Sequence, residues 1–267
     1  MAAPARSVVD PPPAFARLAA HPLRWRLLRE LVESDRAVSE LTALVDEPQP
    51  LVSYHLRKLR DGGLVFARRS TADGRDTYYT IDLGSCRREL QDTGAGLHPA
   101  LRLAPMTPQL TAGRSRRKRR VLFLCTGNSA RSQIAEALIE RMSDGMINAV
   151  SAGSKPKPLH PNAVRVMKRR GIDISGNRTK HLGEFVDQRF DRVITLCDRV
   201  REVCPEFTSH PQLTHWSIPD PAREGNTNRA SYPAFERTAV ELETRIGFLL
   251  AVMLIPPSER KRAHAKR

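Results

Sequence analysis

Eight consecutive residues, Cys125-Thr126-Gly127-Asn128-Ser129-Ala130-Arg131-Ser132, combine a nucleophile, a cation and a short polar loop. The apolar run Val121-Leu122-Phe123-Leu124 precedes them, and Gln133-Ile134-Ala135-Glu136-Ala137-Leu138 follows with helical periodicity. The pattern predicts a buried strand, a tight turn and an amphipathic helix. Such a turn aims several backbone N–H groups and the positive end of the helix at one point, which makes an anion site. A positive field there favours thiolate over thiol at Cys125. Arg131, six residues on, can grip two oxygens of a tetrahedral oxyanion in a bidentate fork. The segment therefore predicts a thiolate nucleophile beneath a phosphate-sized anion, with Thr126, Gly127, Asn128, Ser129 and Ala130 as the oxyanion-binding loop.

The elements that must position this loop fill only part of the chain. A length of 267 residues allows two modest domains with cores of their own. No apolar stretch approaches the roughly 18 residues of a membrane span, and no signal-peptide pattern is present. Four cysteines at uneven spacing suggest reduced, reactive thiols in place of a disulfide scaffold. A cytoplasmic protein without a membrane partner is expected. The formal net charge of +15 is unevenly placed: Arg114–Arg120 supplies six positive charges, and the tail from Pro256 adds five against Glu259. The basicity thus lies mostly in a linker, read as solvated with salt-dependent contact to DNA phosphates as its alternative, and in a tail read as disordered charge.

Four segments follow: a first domain over 14–92, a basic flexible linker over 93–120, a second domain over 121–254 and a basic tail over 255–267. In the first, 14–18, 23–34, 38–45 and 50–60 have helical character, and Gly62-Gly63 ends the last of these. Two β-type runs, 64–69 and 77–81, flank Asp73-Gly74 as a hairpin. Helices followed by a hairpin predict an α+β winged helix-turn-helix. In the second domain, strands near 121–124, 149–151, 193–196 and 213–216 alternate with helices near 133–142, 161–170, 199–204 and 232–253. That alternation predicts an α/β domain with a four-stranded parallel doubly wound sheet, its site at the carboxyl end of the first strand.

The run Leu18-Ala19-Ala20-His21-Pro22-Leu23-Arg24, followed by residues 52–65, resembles the ArsR-type repressor family. The resemblance covers nearly all of the first domain. It implies a homodimer that binds DNA, with Ser53, Tyr54, His55, Arg57, Lys58 and Arg60 as candidate contacts. Where members of that family carry a Cys-x-Cys sensing pair, this chain has Glu40-Leu41-Thr42-Ala43-Leu44-Val45, so no inducer is implied. Cys86, past the hairpin, is expected to serve packing.

The second domain resembles the low-molecular-weight tyrosine phosphatase family and, within it, the thiol-linked arsenate reductases. The matching segments run in family order from Cys125–Ser132 through Ser151-Ala152-Gly153, Gly171-Ile172-Asp173-Ile174-Ser175, Thr195-Leu196-Cys197 and Cys204-Pro205 to His215-Trp216 and Asp220-Pro221. The resemblance implies Cys125 as nucleophile, Arg131 as oxyanion clamp, Ser132 as hydroxyl donor to the thiolate and Asp220 as general acid. It also implies that Cys197 and Cys204, seven residues apart, are the resolving thiols of a reductase coupled to thioredoxin or to a low-molecular-weight thiol. Closing a bond between them requires the intervening segment to loop, because two ideal helical turns hold such a pair about 10 Å apart. No metal or bound cofactor is expected; His210 and His215 lack zinc-finger spacing. The substrate is arsenate or, alternatively, a phosphate ester. A third possibility is an oxyanion-sensing repressor without turnover. Arg223 is expected at the surface, with the loop mouth as its alternative place.

Overall fold

The computed structural model describes residues 12–72, 74–98, 101, 118–207 and 211–254. The first domain begins with α1 (Ala14–Ala19) and α2 (Pro22–Glu33). His21 caps α2, its Nδ1 accepting from the Leu23 N–H at 3.2 Å, and Pro22 occupies the first turn, where a missing N–H costs nothing. The two-residue β1 (Arg36–Ala37), which sequence periodicity is too short to reveal, leads into α3 (Val38–Val45) and α4 (Gln49–Asp61). Leu27, Leu31, Leu41, Val52, Leu56 and Leu59 are fully buried between these helices. Gly63, at φ +71°, reverses the chain into the expected hairpin of β2 (Val65–Arg69) and β3 (Thr77–Ile81), with β3 central in the order β1-β3-β2. The turn residue Asp73 lies outside the described residues. Asp82 caps α5 (Leu83–Leu97) by accepting from Ser85 N–H at 2.8 Å. This helix packs against α1 and runs to Leu97, past the boundary expected at 92.

The second domain is the expected parallel sheet. Its elements are β4 (Arg119–Cys125), α6 (Arg131–Met142), β5 (Ile147–Gly153), α7 (Pro161–Lys168), β6 (Arg192–Thr195), α8 (Asp198–Glu202), β7 (Gln212–His215) and α9 (Asn228–Met253). The strand order is β5-β4-β6-β7, all pairs parallel. Val121–Leu124 of β4 are completely buried, which is why that run carries no polar residue. Because β5 and β6 lie on opposite sides of β4, the crossovers diverge at its carboxyl end and open a crevice there. Cys125 sits at that end. The helix α9 begins at Asn228, ahead of the expected Tyr232, because Thr227 caps it and Pro233 is accommodated inside it. The basic run through 117, the tail from 255 and His210 lie outside the described residues.

The two domains are packed together through buried charge. Asp35, 3% exposed at its side chain, accepts from Arg245 at 3.1 and 3.2 Å and from the Ser217 N–H at 2.7 Å. Arg68 of β2 donates to both oxygens of Glu241 at 3.0 Å and to the Ser217 carbonyl at 2.7 Å. Buried charges persist only when paired in this way.

The core of the second domain rests on α9, whose Phe235, Ala239, Leu242 and Ile246 are fully buried. Leu242→Ala is expected to cost about 2–5 kcal/mol through lost transfer energy plus a residual cavity. Urea denaturation followed by circular dichroism measures it.

Candidate active site

The chain turns sharply after Cys125 because Asn128 adopts φ +47°, a conformation that asparagine tolerates better than most residues. The fully buried Asn128 amide ties the turn to its surroundings. Its Nδ2 donates to Ser132 Oγ at 2.9 Å and to Ser151 Oγ at 2.8 Å, while its Oδ1 accepts from Gln133 Nε2 at 3.2 Å and Lys180 N at 2.7 Å. The turn also passes so close to β5 that a Cβ on Gly153 would meet Thr126 O at 2.7 Å. That contact explains the glycine of Ser151-Ala152-Gly153.

Around the Cys125 sulfur the expected donors assemble. Ser132 Oγ lies 3.0 Å from Sγ, and the Asn128 N–H donates to it at 3.2 Å. Helix α6 starts at Arg131, so its positive end faces the same point. Arg131 is 5% exposed; its Nη1 donates to Ile218 O at 2.8 Å and its Nη2 lies 3.5 Å from Asp220 Oδ2. Asp220 also caps the 3-10 turn Pro221–Arg223, accepting from the Ala222 N–H at 3.3 Å. The aspartate therefore starts a turn and reaches Arg131 at once.

A cavity of about 460 Å³ opens over the loop, and Cys125, Arg131, Cys197 and Asp220 all line it. Cys197 stands at the residue before α8, with its Sγ 3.3 Å from Thr126 Oγ1. Burial pushes the Cys197 thiol up, the Arg131 charge opposes this, and the neighbouring Cys125 adds to it. Cys204, half-buried beyond the other end of α8, does not line the cavity; burial pushes its thiol up to about 11. Cys86 is buried in the first domain, as expected of a packing residue.

Four further residues line the cavity without a signal in the sequence reading: Lys157, His160, Arg199 and Thr71. Lys157 follows the β5 loop, where the alternating Lys155-Pro156-Lys157-Pro158 could have drawn attention. His160 caps α7, accepting from Asn162 N–H at 3.1 Å, and stacks on Phe235 at 4.5 Å; burial lowers its pKa, against a raising effect of Asp220. Arg223 lines the mouth as well, 4.0 Å from Asp220, which is the alternative place sequence allowed for it. Thr71 belongs to the hairpin of the first domain, a placement no local pattern announces.

On α4, Tyr54, Arg57, Lys58 and Arg60 are exposed and Ser53 is half-buried. His55 is a correction. Val52, His55, Leu56 and Leu59 share the inward face of the helix, and His55 is 5% exposed, its ring tilted against that of His21 at 4.3 Å between centroids. Burial, then His21, lowers its pKa, and its inward placement removes it from the surface contacts expected of it. Among the described residues no cluster of three or more His, Cys, Asp or Glu is placed to hold a metal ion.

Residues 120–255, half of the chain, match the family described as Low molecular weight phosphotyrosine protein phosphatase. The chain belongs to the low molecular weight phosphotyrosine protein phosphatase family. Residues 21–66 match the family described as Bacterial regulatory protein, arsR family. An arsenate reductase of Halalkalibacterium halodurans is 37% identical over 129 residues, spanning 48% of this chain and 93% of that protein. One from Brevibacillus brevis is 38% identical over 129 residues, spanning 48% and 92%. A solved arsenate reductase in the phosphate-binding state is 30% identical, covers 50% of this chain and 97% of its own, and superposes with a TM-score of 0.44.

In this low molecular weight phosphatase-family domain, Cys204 reacts through its thiolate form, which burial disfavours. Alkylation of Cys204 by iodoacetamide is therefore expected to quicken about tenfold per pH unit from 7 to 10. Peptide mass spectrometry of quenched samples checks this; a plateau below pH 9 would contradict it.

Proposed function

We propose that this protein is a DNA-binding regulator joined to an arsenate reductase that works through Cys125, Cys197 and Cys204. The observation that carries this reading is the shared cavity: the nucleophilic and first resolving thiols open onto one space with Arg131 and Asp220. Hydrolysis of a phosphate ester transfers no electrons and so requires no second sulfur, whereas reduction of arsenate requires a donor of two.

The Cys125 thiolate attacks arsenic(V), Arg131 and the α6 terminus hold the remaining oxygens, and Asp220 protonates the departing oxygen, which leaves as water. Cys197 then attacks Cys125 Sγ. An S–S bond forms, the As–S electron pair stays on arsenic, and arsenite leaves. Cys204 attacks Cys197 next, releasing the Cys125 thiolate and leaving a Cys197–Cys204 disulfide. In sum, arsenate and two thiols become arsenite, a disulfide and water. An external thiol reductant, of the thioredoxin type or of low molecular weight, restores the pair. Lys157, Arg199 and Arg223 at the mouth favour entry of an anion. Thiol chemistry of this kind requires a reducing compartment, which supports a cytoplasmic location.

The regulator half would act as a homodimer and meet DNA through the exposed Tyr54, Arg57, Lys58 and Arg60 of α4. Ser53 stands beside them.

Arsenate-dependent NADPH oxidation, with thioredoxin and its reductase present, tests the enzyme. Cys197→Ser is expected to lower turnover about a thousandfold or more. Hydrolysis of an aryl phosphate, unaffected by Cys197→Ser and without arsenate turnover, would replace the reading by a phosphatase.

A further inference from the structure

The hydrogen bonds that α8 sends to the first domain come from residues bracketed by Cys197 and Cys204. Asp198 accepts from both the backbone N–H and the hydroxyl of Thr71, at 2.6 and 2.9 Å. Arg199 Nε donates to the Thr71 carbonyl at 3.1 Å. Arg201 pairs with Glu40 of α3 and lies 5.2 Å over the Tyr78 ring of β3. Thr71 stands just past β2, where the hairpin turns, so the wing of the helix-turn-helix is clasped at its tip by the redox segment.

Asp198 is 1% exposed and anchors this clasp from below. Its other oxygen accepts from Ser217 Oγ at 2.8 Å and lies 3.1 Å from His215 Nε2. Burial pushes its carboxyl up, but the hydrogen bonds from His215, the Thr71 N–H and Ser217 outweigh this and hold it well below the ordinary carboxylate range. A second set of contacts joins the domains without α8, namely Arg68 with Glu241 and Asp35 with Arg245 and Ser217. One zone therefore depends on the shape of the Cys197–Cys204 segment, and the other does not.

A disulfide brings Cα atoms within roughly 4.4–6.8 Å, whereas a helical segment of this length holds its ends about 10 Å apart. Cys197 stands just before α8 (Asp198–Glu202) and Cys204 lies two residues past its end, so drawing the two sulfurs together reshapes the segment between them, and Asp198, Arg199 and Arg201 move with it. We propose that the wing is docked on the catalytic domain while the relay is reduced and is released when Cys197 and Cys204 join, so that the DNA-binding domain reads the redox state of the enzyme. This rests on the relay proposed above. The step is an oxidation: two thiols lose two protons and two electrons to arsenate, which becomes arsenite and water, or to diamide, which becomes its hydrazine. A free wing tip then faces solvent in place of the α8 surface, and the second contact zone keeps the domains together.

Hydrogen exchange of the full chain tests the release. Peptides spanning the wing are followed in reduced protein and in protein oxidised by diamide or by arsenate, with the Cys197–Cys204 bond verified by mass. Wing amides are expected to exchange about tenfold faster or more after oxidation, while peptides carrying Asp35 and Arg245 stay unchanged. Cys204→Ser, treated identically, should keep the reduced pattern. An intact disulfide with unchanged wing exchange would overturn the release and leave the relay standing. Loosening in Cys204→Ser would overturn it too, by tracing the effect to other oxidation. If neither oxidant joins the two cysteines, the relay itself fails and the release with it.

Discussion

The site depends on the left-handed turn at Asn128. A non-glycine residue held at positive φ costs on the order of 1–3 kcal/mol and survives only where its neighbours over-determine it. Here they do: the buried amide makes four hydrogen bonds, to Ser132, Ser151, Gln133 and Lys180. At about 0.5–1.5 kcal/mol each, such bonds offset the strain. The same turn aims the Asn128 N–H at Cys125 Sγ and fixes where α6 begins, and so where Arg131 stands. Relaxing it would move Cys125, Ser132 and Arg131 together.

Local pattern made much of this legible. The all-apolar Val121–Leu124 can only be a central strand, and the loop behind it can only face the crevice that such a strand opens. Contacts made at a distance were not legible. Thr71 reaches the cavity across 127 residues of chain separation from Asp198, and nothing around Ser70-Thr71-Ala72 records that it will. His55 shows the opposite error: its position on the recognition helix suggested exposure, but the i, i+3, i+4 spacing with Val52 and Leu59 places it inward. The early start of α9 was hidden by Pro233, which reads as a breaker until the Thr227 cap is known.

The joint between the domains has the character of a folded core more than of a tether. Asp35, Arg245, Asp198 and His215 are all nearly inaccessible, and each is satisfied by partners from both sides of the joint or from the network behind it. Charges buried this way cost several kcal/mol when a partner is removed. The joint is thus specific in register, and Thr71 of the hairpin reaches the edge of the cavity. A hairpin that reaches this edge is in direct contact with whatever changes shape there.

Two thiols at the anion seat, Cys125 and Cys197, with Cys204 behind them, are proposed to hand two electrons to arsenate. Reduced protein mixed with one equivalent of arsenate, without external reductant, should yield a single turnover. Rapid alkylation and peptide mass spectrometry should then find one disulfide, Cys197–Cys204, with Cys86 and Cys125 free and one arsenite formed per chain. Four alkylated thiols with no arsenite, or arsenite formed while Cys197 and Cys204 remain reduced, would contradict the account.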